Sequence, residues 1–271
     1  MQLVELQAVS AALAEQGVAL FAVSYDSVET LRVFGDNHGI QFPLLADEGS
    51  QVIRALGLLD EHLDEHHAEF GSGVRDDQRG VCYPGVFVLD ERGVVAERRF
   101  QRNYRVRESG ASVLAQALAI AAPESGPALD VAHEQVQIRA GVDSPTYWRY
   151  QRLYAVVEVD IATGWHVYSA PTPEGYTPLS IKVAGDATVV GQPVWPEPVS
   201  FRVADLDEEF WIFDGTVRIA VPFEFVIQRG EPMGDRTVQV IVDYQACSAI
   251  SCDLPRQAMF NLVVRERSAV D

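Results

Sequence analysis

The chain has 271 residues, 48% of them hydrophobic and 22% charged, the balance of a globular protein rather than a disordered or fibrous one. Its net charge of −18 is shared by both halves, which argues against nucleic-acid or anionic membrane-surface binding because such partners are themselves negative. The length exceeds the ~100–150 residues at which single domains cluster, so two domains are expected.

No apolar run approaches the ~20 residues needed to span a bilayer, so no membrane insertion is expected. The N-terminus lacks basic residues, and Glu5 interrupts its apolar stretch, unlike a signal peptide. The expected compartment is the cytoplasm for the chain as it stands, or the periplasm or cell envelope if a leader precedes Met1.

In chain order, Leu3, Leu6, Val9 and Leu13 repeat at helical spacing up to a stop at Gly17. The apolar run 18–23 predicts a strand covered on both faces. Ser27 is placed to cap a helix that ends at His38 before Gly39. A short strand over 40–45 and a helix opened by Ser50 follow. Residues 86–89 predict a buried strand, turned at 90–93 into a hairpin partner over 94–100. A helix is predicted over 113–120. Alternating units of this kind argue an α/β sheet with helices on its faces.

Residues 121–130 have linker composition, rich in Pro and Gly. Beyond them the hydrophobic period becomes two. Val217, Ile219, Val221, Phe223 and Phe225 alternate with Arg218, Ala220, Pro222 and Glu224. Val238, Val240, Val242 and Tyr244 behave likewise, as do Val136, Ile138 and Ala140, and Phe260, Leu262 and Val264. Short alternating strands separated by turns predict an all-β sandwich. The expected division is a first domain over 1–122, a linker over 123–130 and a second domain over 131–271.

The chain has three cysteines, too few for a disulfide framework. Cys247 and Cys252 fall on the turn after the strand ending at Tyr244, close enough to bond if the turn brings their Cα atoms within ~7 Å. Two readings stand: a structural staple, or a pair that exchanges with other thiols. So small a loop gains only about 2 kcal/mol from closure in the chain-entropy model, less than a bond between distant strands. No second thiol pair or histidine stands at metal-site spacing, so no metal is expected there. His62 and His66 share a helical face within an acidic segment and are read as a solvated surface. Cys82 reads as a small buried strand residue.

The stretches Gly164-Trp-His-Val-Tyr168, Glu174-Gly-Tyr-Thr-Pro178, Glu209-Phe-Trp211 and the Tyr244-Gln-Ala-Cys247 to Cys252 segment resemble the N-terminal domain of the DsbD thiol:disulfide interchange family. That resemblance implies an immunoglobulin-like sandwich whose Cys247 and Cys252 cycle between dithiol and disulfide. It implies that Cys252 engages the partner, which Tyr244, Phe210 and Trp211 help to bind, and that Phe210 and Trp211 lie in a cap loop over the pair. Asp205, Asp207, Glu208 and Glu209 precede those aromatics. An acidic cap would disfavour thiolate by desolvation and like charge, raising the thiol pKa. The family spacing between the cysteines is slightly longer than in this chain.

The stretches 21–27, 42–47 and 83–94 resemble peroxiredoxins of the alkyl hydroperoxide reductase/thiol-specific antioxidant family, on the thioredoxin fold. By that resemblance Pro84 is a cis-proline facing an incoming disulfide. The family's nucleophilic cysteine precedes its first long helix, whereas this chain begins with that helix already running.

The expected protein is therefore an α/β thioredoxin-like domain followed by an all-β immunoglobulin-like sandwich, a thiol–disulfide oxidoreductase with a redox relay or antioxidant role. It exchanges with a thioredoxin-like or other thiol–disulfide partner, with no cofactor because electrons travel through sulfur. Its oligomeric state is left open. Two alternatives stand beside it: a docking module for redox partners whose disulfide is structural, and a peroxidase or disulfide reductase whose catalytic cysteine lies upstream of Met1.

Overall fold

The computed structural model describes residues 2–69, 73–100, 106–108, 128–172, 174–202, 209–227, 231–232 and 234–267. The chain divides into two compact units, Met1–Pro123 and Glu124–Asp271, and each is described by itself.

In the first unit, helix α1 (Gln2–Glu15) buries Leu6 and Leu13 and ends at Gly17, whose φ of 72° suits the left-handed turn. Strand β1 (Ala22–Ser24) runs parallel to β2 (Leu44–Ala46), joined through α2 (Val28–His38). The α2 boundaries are those expected: Thr30 N–H donates to the Ser27 hydroxyl at 3.2 Å, and Gly39 closes the helix in the left-handed region. Helix α3 (Gln51–Ala55) follows Ser50, but Asp47 is the cap, its carboxylate accepting the N–H groups of Gln51 and Ile53, each at 2.9 Å. Those backbone bonds hold the Asp47 carboxyl below its ordinary pKa. Helix α4 (Leu63–Glu69) precedes the hairpin β3 (Gly85–Leu89) and β4 (Val95–Phe100), whose turn is bonded to the Asp90 carboxylate. Strand β5 (Arg107–Glu108) follows, and the helix expected over 113–120 lies outside the described residues.

The expected strand over 18–23 is shorter and less covered than its composition suggests. Among the described residues β1 pairs only with β2. Ala22 and Leu44 pack with Leu6 and Phe42, but Phe21 and Val23 face outward. A two-stranded ribbon has one face to bury, so the apolar run is not matched by two-sided cover. The Tyr83–Pro84 bond is trans, correcting the cis expectation. The Cys82–Leu59 bridge and the Tyr83 N–H bond to the Leu58 carbonyl (2.7 Å) draw this segment out extended into β3. A trans bond continues such a path and is the lower-energy isomer. Cys82 is half-buried, and burial raises its thiol pKa, which suits a strand residue better than a nucleophile. His66 Nδ1 lies 2.9 Å from the buried Asp60 carboxylate, which also accepts the Tyr83 hydroxyl at 2.9 Å. His66 is thus tied inward rather than solvated.

Among the described residues, the regular elements of the second unit are all strands. They are β6 (Ala128–Ala132), β7 (Val136–Val142), β8 (Thr146–Tyr147), β9 (Gln151–Ile161), β10 (Trp165–Tyr168), β11 (Ser180–Gly185), β12 (Ala187–Val189), β13 (Val199–Arg202), β14 (Glu209–Phe213), β15 (Thr216–Phe225), β16 (Arg236–Tyr244), β17 (Ala246–Ser248) and β18 (Arg256–Glu266). One sheet runs β12-β15-β9-β7-β6, a second β11-β16-β18-β8, and a third β13-β14-β10-β17. The alternation read from sequence is the burial pattern: Val136, Ile138, Val157, Ile219, Phe223, Val240, Phe260 and Leu262 are all at most 1% exposed and form one core. Residues 128–130, expected as linker, begin β6, which pairs with β7 and sets Asp130 3.0 Å from the Arg139 guanidinium.

At the end of β11, Gly185 has φ 83°, and a Cβ there would meet the Thr237 carbonyl oxygen at 2.6 Å. The next residue closes the corner, with Asp186 N–H on that carbonyl at 2.9 Å. Gly185→Ala is expected to destabilise the domain by about 1–3 kcal/mol through left-handed strain and backbone collision, read as a lower urea midpoint.

Candidate functional site

Tyr244, the last residue of β16, points into the main core and is 1% exposed; burial raises its phenol pKa. The chain then leaves that sheet. At Gln245 it turns, and β17 pairs antiparallel with β10 in the third sheet, setting Ala246 opposite Val167 and Cys247 opposite His166. Successive residues of a strand point to opposite faces, so Ala246 continues the core and Cys247 faces away from it.

After β17 the chain folds back. Ser248 N–H donates to the Ser251 carbonyl at 2.7 Å, and Asp253 N–H donates to the Ala246 carbonyl at 2.8 Å. Between these bonds Cys247 and Cys252 stand directly opposed, Cα atoms 4.0 Å apart and sulfurs joined. The Ser248 hydroxyl builds the turn by accepting the N–H groups of Ile250 and Ser251 at 3.3 and 3.1 Å. Buried Gln245 anchors the hairpin on both sides: its amide donates to the Asp253 carbonyl and its oxygen accepts the Thr177 N–H, each at 2.9 Å. Neither Ser248 nor Gln245 was singled out from sequence.

The two sulfurs have unlike surroundings. Cys247 is 0% exposed, in a small cluster with Tyr168, Phe210 and Ile212, and with Phe201 against it. Cys252 is exposed. On either side of it, Ile250 and Leu254 are 95% and 83% exposed, large apolar side chains with nothing over them among the described residues.

The aromatic pair expected over the cysteines divides. Phe210 packs in the Cys247 cluster, its ring 6.0 Å from that of Tyr168. Trp211 is the next residue of β14, so it points to the other face, where it is 45% exposed. Glu209 shares Trp211's parity; its carboxylate accepts the Ser200 hydroxyl and lies 4.0 Å from Arg202. The carboxylate is thus engaged on β13. Asp205, Asp207 and Glu208 lie outside the described residues. Pro84 belongs to the first unit, half-buried ahead of β3.

One residue that sequence reasoning passed over stands at the centre of the site. His166 is 4% exposed, opposite Cys247, its ring 4.6 Å from Phe201 and 5.3 Å from Tyr168. Its Nε2 is buried without a hydrogen-bond partner among the described residues. Burial pushes its pKa below the ordinary histidine range, against an opposing pull from Asp214. Tyr168 is shifted upward by burial and by the Tyr176 ring, 4.8 Å away. The only available signal was the residue's place inside the Gly164–Tyr168 stretch.

Residues 1–98 match the family model of the AhpC/TSA family, and residues 142–264 match that of the thiol:disulfide interchange protein DsbD, N-terminal. Among curated proteins, none matches the chain. Among solved structures, it is similar to the N-terminal periplasmic domain of ScsB from Proteus mirabilis, with 18% identity over 50% of this chain and a TM-score of 0.36. The match spans 49% of that chain, about half its length. It is also similar to the DsbD N-terminal domain of Neisseria meningitidis in the reduced form, with 16% identity over 41% of this chain and 77% of that one, and a TM-score of 0.29. The two regions and the bonded cysteines are consistent with thiol–disulfide exchange. The chain thus carries a thioredoxin-like region that matches the AhpC/TSA family, followed by an all-β region that matches the DsbD N-terminal domain.

Proposed function

We propose that the protein exchanges disulfides with a thioredoxin-like partner through Cys247 and Cys252, with Cys252 meeting the partner. The observation that carries this reading is the unequal burial of the two cysteines, Cys247 sealed and Cys252 exposed between exposed Ile250 and Leu254. In the reducing direction a partner thiolate attacks Cys252 Sγ. The disulfide breaks, and Cys247 Sγ departs with the electron pair and takes a proton. A second partner thiolate then attacks the partner sulfur bonded to Cys252, leaving the partner oxidised and both cysteines reduced. Phe210 shields Cys247 from other oxidants, while exposed apolar groups beside Cys252 give a partner something to bury.

Equilibration with glutathione redox buffers, followed by alkylation and mass analysis, tests the proposal. The pair is expected to titrate near about −200 mV, within the range of exchanging proteins. A potential below about −300 mV is that of a structural bond and would overturn the exchange function in favour of a staple.

A further inference from the structure

We propose that His166 is the base that takes the Cys247 proton when the intramolecular disulfide closes, an inference that rests on the exchange function proposed above. Closure requires the sealed cysteine to become a nucleophile. Cys247 attacks Cys252 Sγ in a mixed disulfide, the new S–S bond forms, and the partner sulfur leaves with the electron pair as thiolate. The Cys247 proton must go somewhere, and at 0% exposure it cannot pass directly to bulk water.

Two observations independent of titration point to His166. It is directly opposed to Cys247 across the β10–β17 ladder, and opposed residues hold their Cβ atoms ~4.5–5.5 Å apart on one face. Its Nε2 is buried with no partner among the described residues, although buried polar atoms are ordinarily paired. A buried imidazole with a vacant nitrogen, on the residue opposite a buried cysteine, is placed to take that cysteine's proton.

The surroundings favour the neutral ring that a base requires. Phe201 from β13 and Phe210 and Ile212 from β14 are apolar, the Tyr168 phenol on β10 has its pKa raised by burial, and among the described residues Asp214 after β14 is a charge that acts on the ring. From β17 and the returning strand the facing groups are the two cysteines themselves. Desolvation outweighs Asp214, so the imidazole stays neutral at neutral pH.

The experiment mixes reduced full-length protein with a nitrothiobenzoate disulfide, the Ellman reagent, in a stopped-flow spectrometer. The first thiolate released reports attack by Cys252, and the second reports closure by Cys247; peptide mapping assigns the Cys82 signal. In the native protein the second phase is expected to level off with rising pH below the ordinary histidine range. In His166→Phe and His166→Gln it is expected to slow about 100-fold at pH 7. In both variants it should then rise about tenfold per pH unit toward the thiol pKa, while the first phase is unchanged. A merely structural role would slow both phases without altering the pH profile. A second phase in the native protein that tracks hydroxide throughout this range would overturn the proposal, whether or not either variant folds. A native protein that shows no second phase instead defeats the exchange function itself.

Discussion

Cys252→Ser is expected to reduce covalent capture of a partner to background, while Cys247→Ser turns the protein into a trap. In Cys247→Ser the exposed Cys252 thiol attacks a disulfide, and no neighbouring sulfur is left to release the adduct. In Cys252→Ser the remaining thiol is the sealed one, which reacts only when the cluster of Tyr168, Phe210 and Ile212 opens. Adduct formation should be roughly 100-fold slower in that variant, equivalent to an opening cost of about 2.8 kcal/mol. The measurement is accumulation of mixed disulfide, by non-reducing gel and intact mass, with a thioredoxin whose resolving cysteine is replaced and whose remaining cysteine is first converted to its nitrothiobenzoate mixed disulfide, so that attack by the protein thiol expels nitrothiobenzoate as thiolate. Equal capture by both variants would remove the distinction between the two sulfurs.

Phe210→Ala is expected to open that seal. In a Cys252→Ser background, alkylation of Cys247 by iodoacetamide should rise at least about tenfold, each factor of ten matching ~1.4 kcal/mol of lost shielding. Trp211→Ala is the control. Its side chain lies on the opposite face of β14, so the Cys247 rate should stay within about twofold, a shift of a few tenths of a kcal/mol. Peptide mapping isolates Cys247 from the half-buried Cys82. An unchanged rate in Phe210→Ala would strip the residue of its shielding role.

The residues of these predictions were singled out from sequence; what sequence reading did not reach is their unequal burial and the opposite facing of Phe210 and Trp211. The strand pattern itself was legible: Val238, Val240 and Val242 alternate because one face of β16 meets the core. Local chemistry was legible too, as with Ser27 and Gly39 around α2. Alternation also had more to give. Adjacent strand residues cannot share a face, which separates Phe210 from Trp211, and the odd step from Tyr244 to Cys247 places them on opposite sides.

What failed was non-local. Ala220 and Pro222 fit the solvent face of an alternating strand, yet both are buried. The segment after β12 covers them, with Val190 N–H donating to the Pro222 carbonyl and Val194 bridging to Ala220. The sheet change at Gln245 was equally hidden, and it alone brings His166 opposite Cys247. In the first unit, the apolar residues flanking β1 promised two-sided burial that a two-stranded ribbon does not supply.

The hairpin carrying the cysteines is held by bonds that owe nothing to sulfur. None of the Ser248–Ser251 and Ala246–Asp253 backbone contacts, the serine-built turn and the Gln245 anchor involves a sulfur atom. Reduction of the disulfide is therefore expected to leave this scaffold in place, a local event rather than a partial unfolding. An exchanger of the kind proposed above would then present the same docking shape before and after its transfer, and a partner would tell the two states apart by sulfur chemistry alone.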